Sequence, residues 1–332
     1  MGPAELVQAV HVATQHYVQG RTKMQIAAEL GISRYKVARV LDACLAEGIV
    51  RIEISPPRSI DAELSEQLRS TFRLHHVLVV NSPPADVPAT TAVRQQLGEA
   101  AADLLSEIVT EDDVLGVAWG RTLQSMATSL RSLPPCRIVQ MTGVTGAVGR
   151  TSVDLLRHLA AVSGGPAHPI YAPLVVSDEP TSLALHRQHA INSATSRFAS
   201  ITKATVAIGS WDAEGSQLHA SLGAEDLHAL AGFDIAAEVC ATLLASDGTP
   251  INTSLHRRTI AISARQLRHI PEVIAVAGGG EQGTGHPHRV ARWIGQLVGH
   301  RPTDRGGHLG TGPIVGLISG GAPSGGRTTA PR

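Results

Sequence analysis

Gln25-Ile26-Ala27-Ala28-Glu29-Leu30-Gly31-Ile32-Ser33-Arg34-Tyr35-Lys36-Val37-Ala38-Arg39-Val40-Leu41 is the stretch around which the chain is read. Two helices that cross at a sharp angle need a small residue where they touch, and Ala27 supplies it. The turn between them needs a residue that tolerates positive φ, and Gly31 follows four positions later. Ile26, Leu30, Ile32, Val37 and Val40 fall where such a helix-turn-helix buries its core. Thr22 and Ser33 are placed to cap the two helices. Ser33, Arg34, Tyr35, Lys36 and Arg39 then lie at the exposed start and outer face of the second helix, the element that enters a DNA major groove. Residues 33–41 carry three cations and no acid. That local patch matters because the whole chain has zero formal net charge and no global field to draw it to nucleic acid. The candidate DNA contacts are Thr22, Gln25, Ser33, Arg34, Tyr35, Lys36 and Arg39.

Outward from this motif, Leu6–Val18 reads as a preceding helix with Leu6, Val7, Val10, Ala13, Tyr17 and Val18 on one stripe, ended by Gly20. Gly48-Ile49-Val50-Arg51-Ile52 reads as the strand of a winged variant. Pro56-Pro57 is a stiff break. Asp61–Leu74 reads as an amphipathic helix with Leu64, Leu68 and Phe72 on one face, suited to pairing subunits.

From Val77 the texture changes. Short β-branched runs (77–80, 114–118, 137–141, 204–208, 259–262, 273–277) alternate with helical stretches (97–105, 122–130, 153–162, 182–200). This implies βαβ units and a parallel, Rossmann-like sheet. Aromatic residues make up only 3% of the chain, so its core is built from Ala, Val, Leu and Ile, which suits that sheet. Several strands run straight into glycine: Gly120, Gly143, Gly209 and Gly278-Gly279-Gly280. Ligands of open α/β sheets bind at such carboxyl ends. Gly120-Arg121-Thr122 joins a strand to a helix N-terminus, where free N–H groups and the helix dipole favour an anion and Arg121 can grip a phosphate. Gly143-Val144-Thr145-Gly146 offers a second such turn or a plain one, and Gln140 ends a strand toward it.

These residues together resemble the SorC/DeoR family of sugar-responsive bacterial transcriptional regulators. The resemblance rests on the Gln25–Leu41 motif, on Gly48-Ile49-Val50, and on Asp113–Leu123 with its Trp119-Gly120-Arg121-Thr122 turn. It continues through Val139-Gln140-Met141-Thr142-Gly143 and through Leu267–Gly279. The resemblance implies a DNA-binding regulator of a sugar-catabolic operon. Its α/β effector domain is expected to resemble sugar-phosphate isomerases, to bind a phosphorylated sugar or polyol, and to form a homodimer or homotetramer. On the family pattern Glu238 occupies the place of an acid and Arg258 that of an arginine before a strand, with surface roles as the alternative. The implied effector set is Gly120, Arg121, Thr122, Gln140, Gly143, Glu238, Arg258, Gly278 and Gly279.

Two departures stand out. Gln282 stands where the family has a lysine, and no later strand ending in Thr-Asp is visible: Thr303-Asp304 lies among Pro, Arg and Gly. Residues 281–332 hold 13 glycines, no lysine, and only Glu281 and Asp304 as acids. That tail reads as partly disordered, either genuinely divergent or translated in a shifted frame. In the second case the sheet would lack its last strand and expose an edge.

The expected organisation is a helix-turn-helix domain at 1–58, an effector and oligomerisation domain at 59–280, and the tail at 281–332. An isomerase-like enzyme, or a regulator that has lost its effector response, is the alternative. The chain shows no nucleophile elbow, metal cluster or P-loop lysine, and His75-His76 on a strand would point to opposite faces. Cys44, Cys136 and Cys240 lack metal-ligand spacing and read as reduced core thiols, and nothing marks Cys44 as a redox sensor. No cofactor or metal is called for. Without a secretory signal or an apolar run of about 18 residues, a cytoplasmic location away from membranes follows by default.

Overall fold

The computed structural model describes residues 2–51, 60–81, 89–145, 151–213, 215–278, 290–294 and 314–320. The chain divides into two compact units between Ser55 and Pro56.

The first unit holds α1 (Pro3–Ala13), α2 (Lys23–Leu30) and α3 (Arg34–Ala46). α1 continues as a π-turn over Thr14–Val18, and Gly20 ends it at φ +67°. Thr22 caps α2 in a reciprocal box with Gln25. Gly31 takes the left-handed conformation, and the Ser33 hydroxyl accepts from the Lys36 N–H at 3.2 Å to start α3. Ala9, Val12, Ala13, Ile26, Ala27, Val37, Leu41 and Cys44 form the core, with Leu30, Ile32 and Val40 against it. The helical reading of Leu6–Val18 holds, but of its stripe only Ala13 is buried. Val7 is 72% and Val18 79% exposed, because α1 packs through Ala9 and Val12 beside Ala13. Residues 49–51 are not a strand, and 52–59, with the rest of the expected wing and the Pro56-Pro57 break, lie outside the described residues.

The second unit is a parallel sheet. Its strands are β1 (His76–Asn81), β2 (Val114–Val117), β3 (Arg137–Gln140), β4 (Ala167–His168), β5 (Lys203–Ser210), β9 (Glu272–Ala277) and β10 (Ile314–Gly320), in spatial order β1-β10-β9-β5-β2-β3-β4. Three further strands, β6 (Ile235–Val239), β7 (Thr242–Ala245) and β8 (Pro250–Ile251), extend antiparallel from the end of β5. Sequence reading missed them; Asp247-Gly248 is the one turn signal there.

α4 (Ala62–Phe72) lies on β1, with Leu68 buried and Leu64 and Phe72 against the core. That apolar face is therefore consumed within the subunit, which corrects the reading that it pairs subunits. α5 (Ala89–Ile108), α6 (Arg121–Ser129) and α7 (Ser152–Ser163) pack side by side. The 182–200 stretch is not one helix but α8 (Glu179–His186), α9 (His189–Thr195) and a 3-10 turn. Short helices α10 (Gln217–Ser221), α11 (Ala224–Leu230) and α12 (Ala264–Leu267) complete the unit. Thr259–Ile262 forms isolated bridges rather than a ladder of the main sheet.

The last strand that a shifted frame was expected to remove is present. β10 lies between β1 and β9, in register from His76↔Val315 and from Ile314↔Val273. Helical residues 290–294 bury Val290, Ala291, Trp293 and Ile294 in the core. Thr303-Asp304 and Gln282 lie outside the described residues.

Candidate functional site

In the first unit the first turn of α3 is exposed at Arg34, Tyr35 and Lys36, and Arg39 follows on the same outer face. The Arg34 guanidinium lies 5.0 Å from the centroid of the Tyr35 ring, and Tyr35 is 70% exposed. Lys36 and Arg39 form no ion pair among the described residues. Thr22, Gln25 and Ser33 are engaged as caps, so their first task is to start the helices. Cys44 is buried, its thiol points at Ala9 O, and burial raises its pKa, which disfavours a reactive thiolate.

In the second unit the strand order reverses between β2 and β5. From β2 the chain steps outward through β3 and β4, then returns to lay β5 on the other side of β2. The crevice above this switch point is where open α/β sheets bind ligands. Gly120 sits there, and a Cβ on it would lie 2.7 Å from the Ala207 Cβ of β5. Gly120 is the N-cap of α6 and supplies no side-chain cap, so the first N–H groups of α6 remain for a ligand. Arg121 has no ion pair or side-chain hydrogen bond among the described residues, and Thr122 is buried beside it.

The other glycine turn differs. The Gly143 N–H donates to Ile260 O and the Val144 N–H to Ala172 O, both at 2.7 Å. A Cβ at 143 would fall 2.6 Å from Pro173 O. Gly143 is thus a close-packing residue with its donors spent, and the reading of its turn as a second anion site is corrected. The neighbouring α7 N-terminus is satisfied by Thr151 and the Asp154 carboxylate. The Asp154 carboxylate therefore disfavours an anion at α7, whereas the first turn of α6 carries no acid.

Gln140 is not free to face a ligand. Its amide donates to Thr142 O (2.6 Å) and Ser152 Oγ (3.0 Å) and accepts from Ile170 N–H (3.2 Å). Arg258 braces a loop, bonding Asp226 and the carbonyls of Val176 and Ser177. Glu238 lies opposite Gly209 across β5 and β6, with Ser216 Oγ donating to its Oε1 at 3.3 Å. Burial of its carboxyl end raises its pKa to about 7 against the opposing bonds from the Ala241 N–H and Ser216. Gly278 follows β9, and Gly279 lies outside the described residues. The structure thus gathers Gly120, Arg121 and Thr122 at the switch point, with Glu238 at the end of neighbouring β5. It gives Gln140, Gly143 and Arg258 structural partners. Sequence reading missed Ser216, which only the unpredicted β6 brings to Glu238.

Residues 58–284 match the model of the Sugar-bind family, described as a sugar-binding domain. The chain belongs to the Sugar-bind family, within SorC/DeoR-type transcriptional regulators. It is 27% identical over 303 residues to the uncharacterized transcriptional regulator YjhU of Escherichia coli K12, covering 89% of this chain and 90% of that protein. It is also 27% identical over 304 residues to the sorbitol operon regulator of Klebsiella pneumoniae, covering 89% and 95%. The full-length crystal structure of SorC from Klebsiella pneumoniae shares the fold, with a TM-score of 0.64 at 23% identity over 94% of this chain and 95% of that one. Among the described residues no helix is long and apolar enough to cross a membrane, and no group of three metal-ligating side chains forms a site.

Proposed function

We propose that α3 binds operator DNA and that the β2–α6 turn binds a phosphorylated sugar or polyol whose occupancy sets transcription of a sugar-catabolic operon. The observation that carries the effector half is the uncapped α6 N-terminus at the switch point, with Arg121 beside it unpaired among the described residues. A phosphate supplies the charge that both features lack. The name of the sorbitol operon regulator supports a polyol or sugar as the rest of the molecule. Ionised Glu238 accepts from a ligand hydroxyl in this reading. The chain acts in the cytoplasm as a homodimer or homotetramer, because one recognition helix reads only a few base pairs and a two-fold site doubles the contact. The outward stripe of Leu6, Val7, Val10 and Val18 is an exposed apolar surface of the first unit available for self-contact.

Arg121→Ala tests the reading. Calorimetric titration with sugar phosphates should show binding lost, while operator affinity stays that of the wild type. Thermal shifts with unphosphorylated sugars and none with phosphorylated ones would contradict the phosphate assignment.

A further inference from the structure

Resting on that reading, we infer that Trp119 and Thr142 hold the other end of the effector, their indole N–H and hydroxyl donating to an oxygen of its sugar or polyol part. Val117 of β2 pairs with Gln140 of β3 in the last row of that ladder. Trp119 and Thr142 each lie two residues further on, just past the ends of the two strands. Above that row the two strands part. The Ala118 N–H turns to Thr205 O of β5 (3.0 Å), whereas Met141 O takes the N–H of Ile262 (2.8 Å). There the Ile260–Ile262 segment bridges Met141–Gly143, with Thr142 opposite Ala261, and Trp119 immediately precedes the Gly120-Arg121 turn that receives the phosphate.

Trp119 Nε1 and Thr142 Oγ1 are buried and have no hydrogen-bond partner among the described residues. Thr142 is 3% exposed. Native interiors leave few such groups, because each is a standing cost. Their neighbour Gln140 has every polar atom engaged, whereas Thr205, which pairs with Val117 in the same row, is a further buried hydroxyl without a partner among the described residues. An indole N–H only donates, so the group that meets it must be an acceptor. A hydroxyl, ring or carbonyl oxygen of a sugar or polyol fits, and it can accept from Trp119 and Thr142 together.

Trp119→Phe keeps the ring and deletes the N–H; Thr142→Val deletes the hydroxyl, and Thr142→Ser restores it. The probes are glucitol 6-phosphate, fructose 6-phosphate and ribose 5-phosphate, titrated calorimetrically into the full chain, with a melting curve to confirm that each variant is folded. For whichever of these binds the wild type, Trp119→Phe and Thr142→Val should each weaken binding about ten-fold, the loss of one buried hydrogen bond. Thr142→Ser should recover wild-type affinity. The ligand should also change tryptophan fluorescence in the wild type and not in Trp119→Phe. Unchanged affinity in both deletion variants overturns this inference and leaves the phosphate site standing. A wild-type chain that binds none of the three overturns the reading of the site and this inference with it.

Discussion

Lys203 shows how a single side chain decides the sheet's lower end. Its ammonium donates to both Asp113 oxygens, at 2.9 and 2.8 Å, and lies 3.8 Å from Glu272. Burial opposes the Asp113 charge, but bonds from Lys203, Thr202 and Thr110 outweigh it and hold its pKa at about 2. Its contribution is therefore complete above the ordinary aspartate value and is lost as the pH falls from there toward 2. Lys203→Met leaves a buried carboxylate uncompensated and should cost about 3–5 kcal/mol in urea unfolding at pH 7. Glu238 runs the other way. With its pKa raised to about 7, the folded chain binds the proton more tightly than the unfolded one. Stability should fall between about pH 4.5 and 7, by up to roughly 3 kcal/mol, and then level off. Unfolding of Glu238→Gln across that range should lack this slope. If the slope persists, another group causes it. Neither tie was legible in the sequence, since Asp113–Lys203 and Ser216–Glu238 are brought together by strand pairing across 90 and 22 residues.

At the scale of elements, local chemistry was readable and orientation was not. The caps Thr22 and Ser33 and the left-handed Gly31 act within a few residues, and the structure places them as read. Which face of a helix is buried depends on its distant partner. Hence α1 turns the stripe of Leu6, Val7 and Val10 outward, while α4 spends its apolar face on β1. The glycine turns show the same limit: Gly120 and Gly143 look alike in sequence, and only the segments at 172–174 and 260 reveal that the donors at 143–144 are spent. For α3 the prediction is direct. Arg34→Ala or Lys36→Ala should weaken operator binding by about 1–3 kcal/mol if the side chain reads a base, or flatten the salt dependence if it grips phosphate. Fluorescence anisotropy at several salt concentrations distinguishes the two. Unchanged affinity and slope in both variants would remove α3 from the interface.

At the scale of the whole molecule, the alternation of strands and helices announced a parallel sheet, but not that edge strand β1 is joined to it through a strand from the C-terminal region. β10 joins β1 to the rest of the sheet, and Trp293 is fully buried with its indole N–H donating to Ser246 O at 3.3 Å. The glycine-rich composition of 281–332 hid both, because a short apolar run such as Ile314–Ser319 carries little signal on its own. Trp293→Ala should therefore destabilise the chain by about 3–5 kcal/mol in thermal unfolding, where a passive tail would leave it unchanged. The central claim is that one chain joins operator recognition to sugar-phosphate sensing. Its most direct test is the affinity of the full-length protein for the DNA upstream of its own gene, measured with and without a panel of sugar phosphates. The account predicts sequence-specific binding that a phosphorylated sugar or polyol shifts and its unphosphorylated counterpart does not. Binding with no sequence preference, or binding indifferent to every phosphorylated ligand, would contradict it.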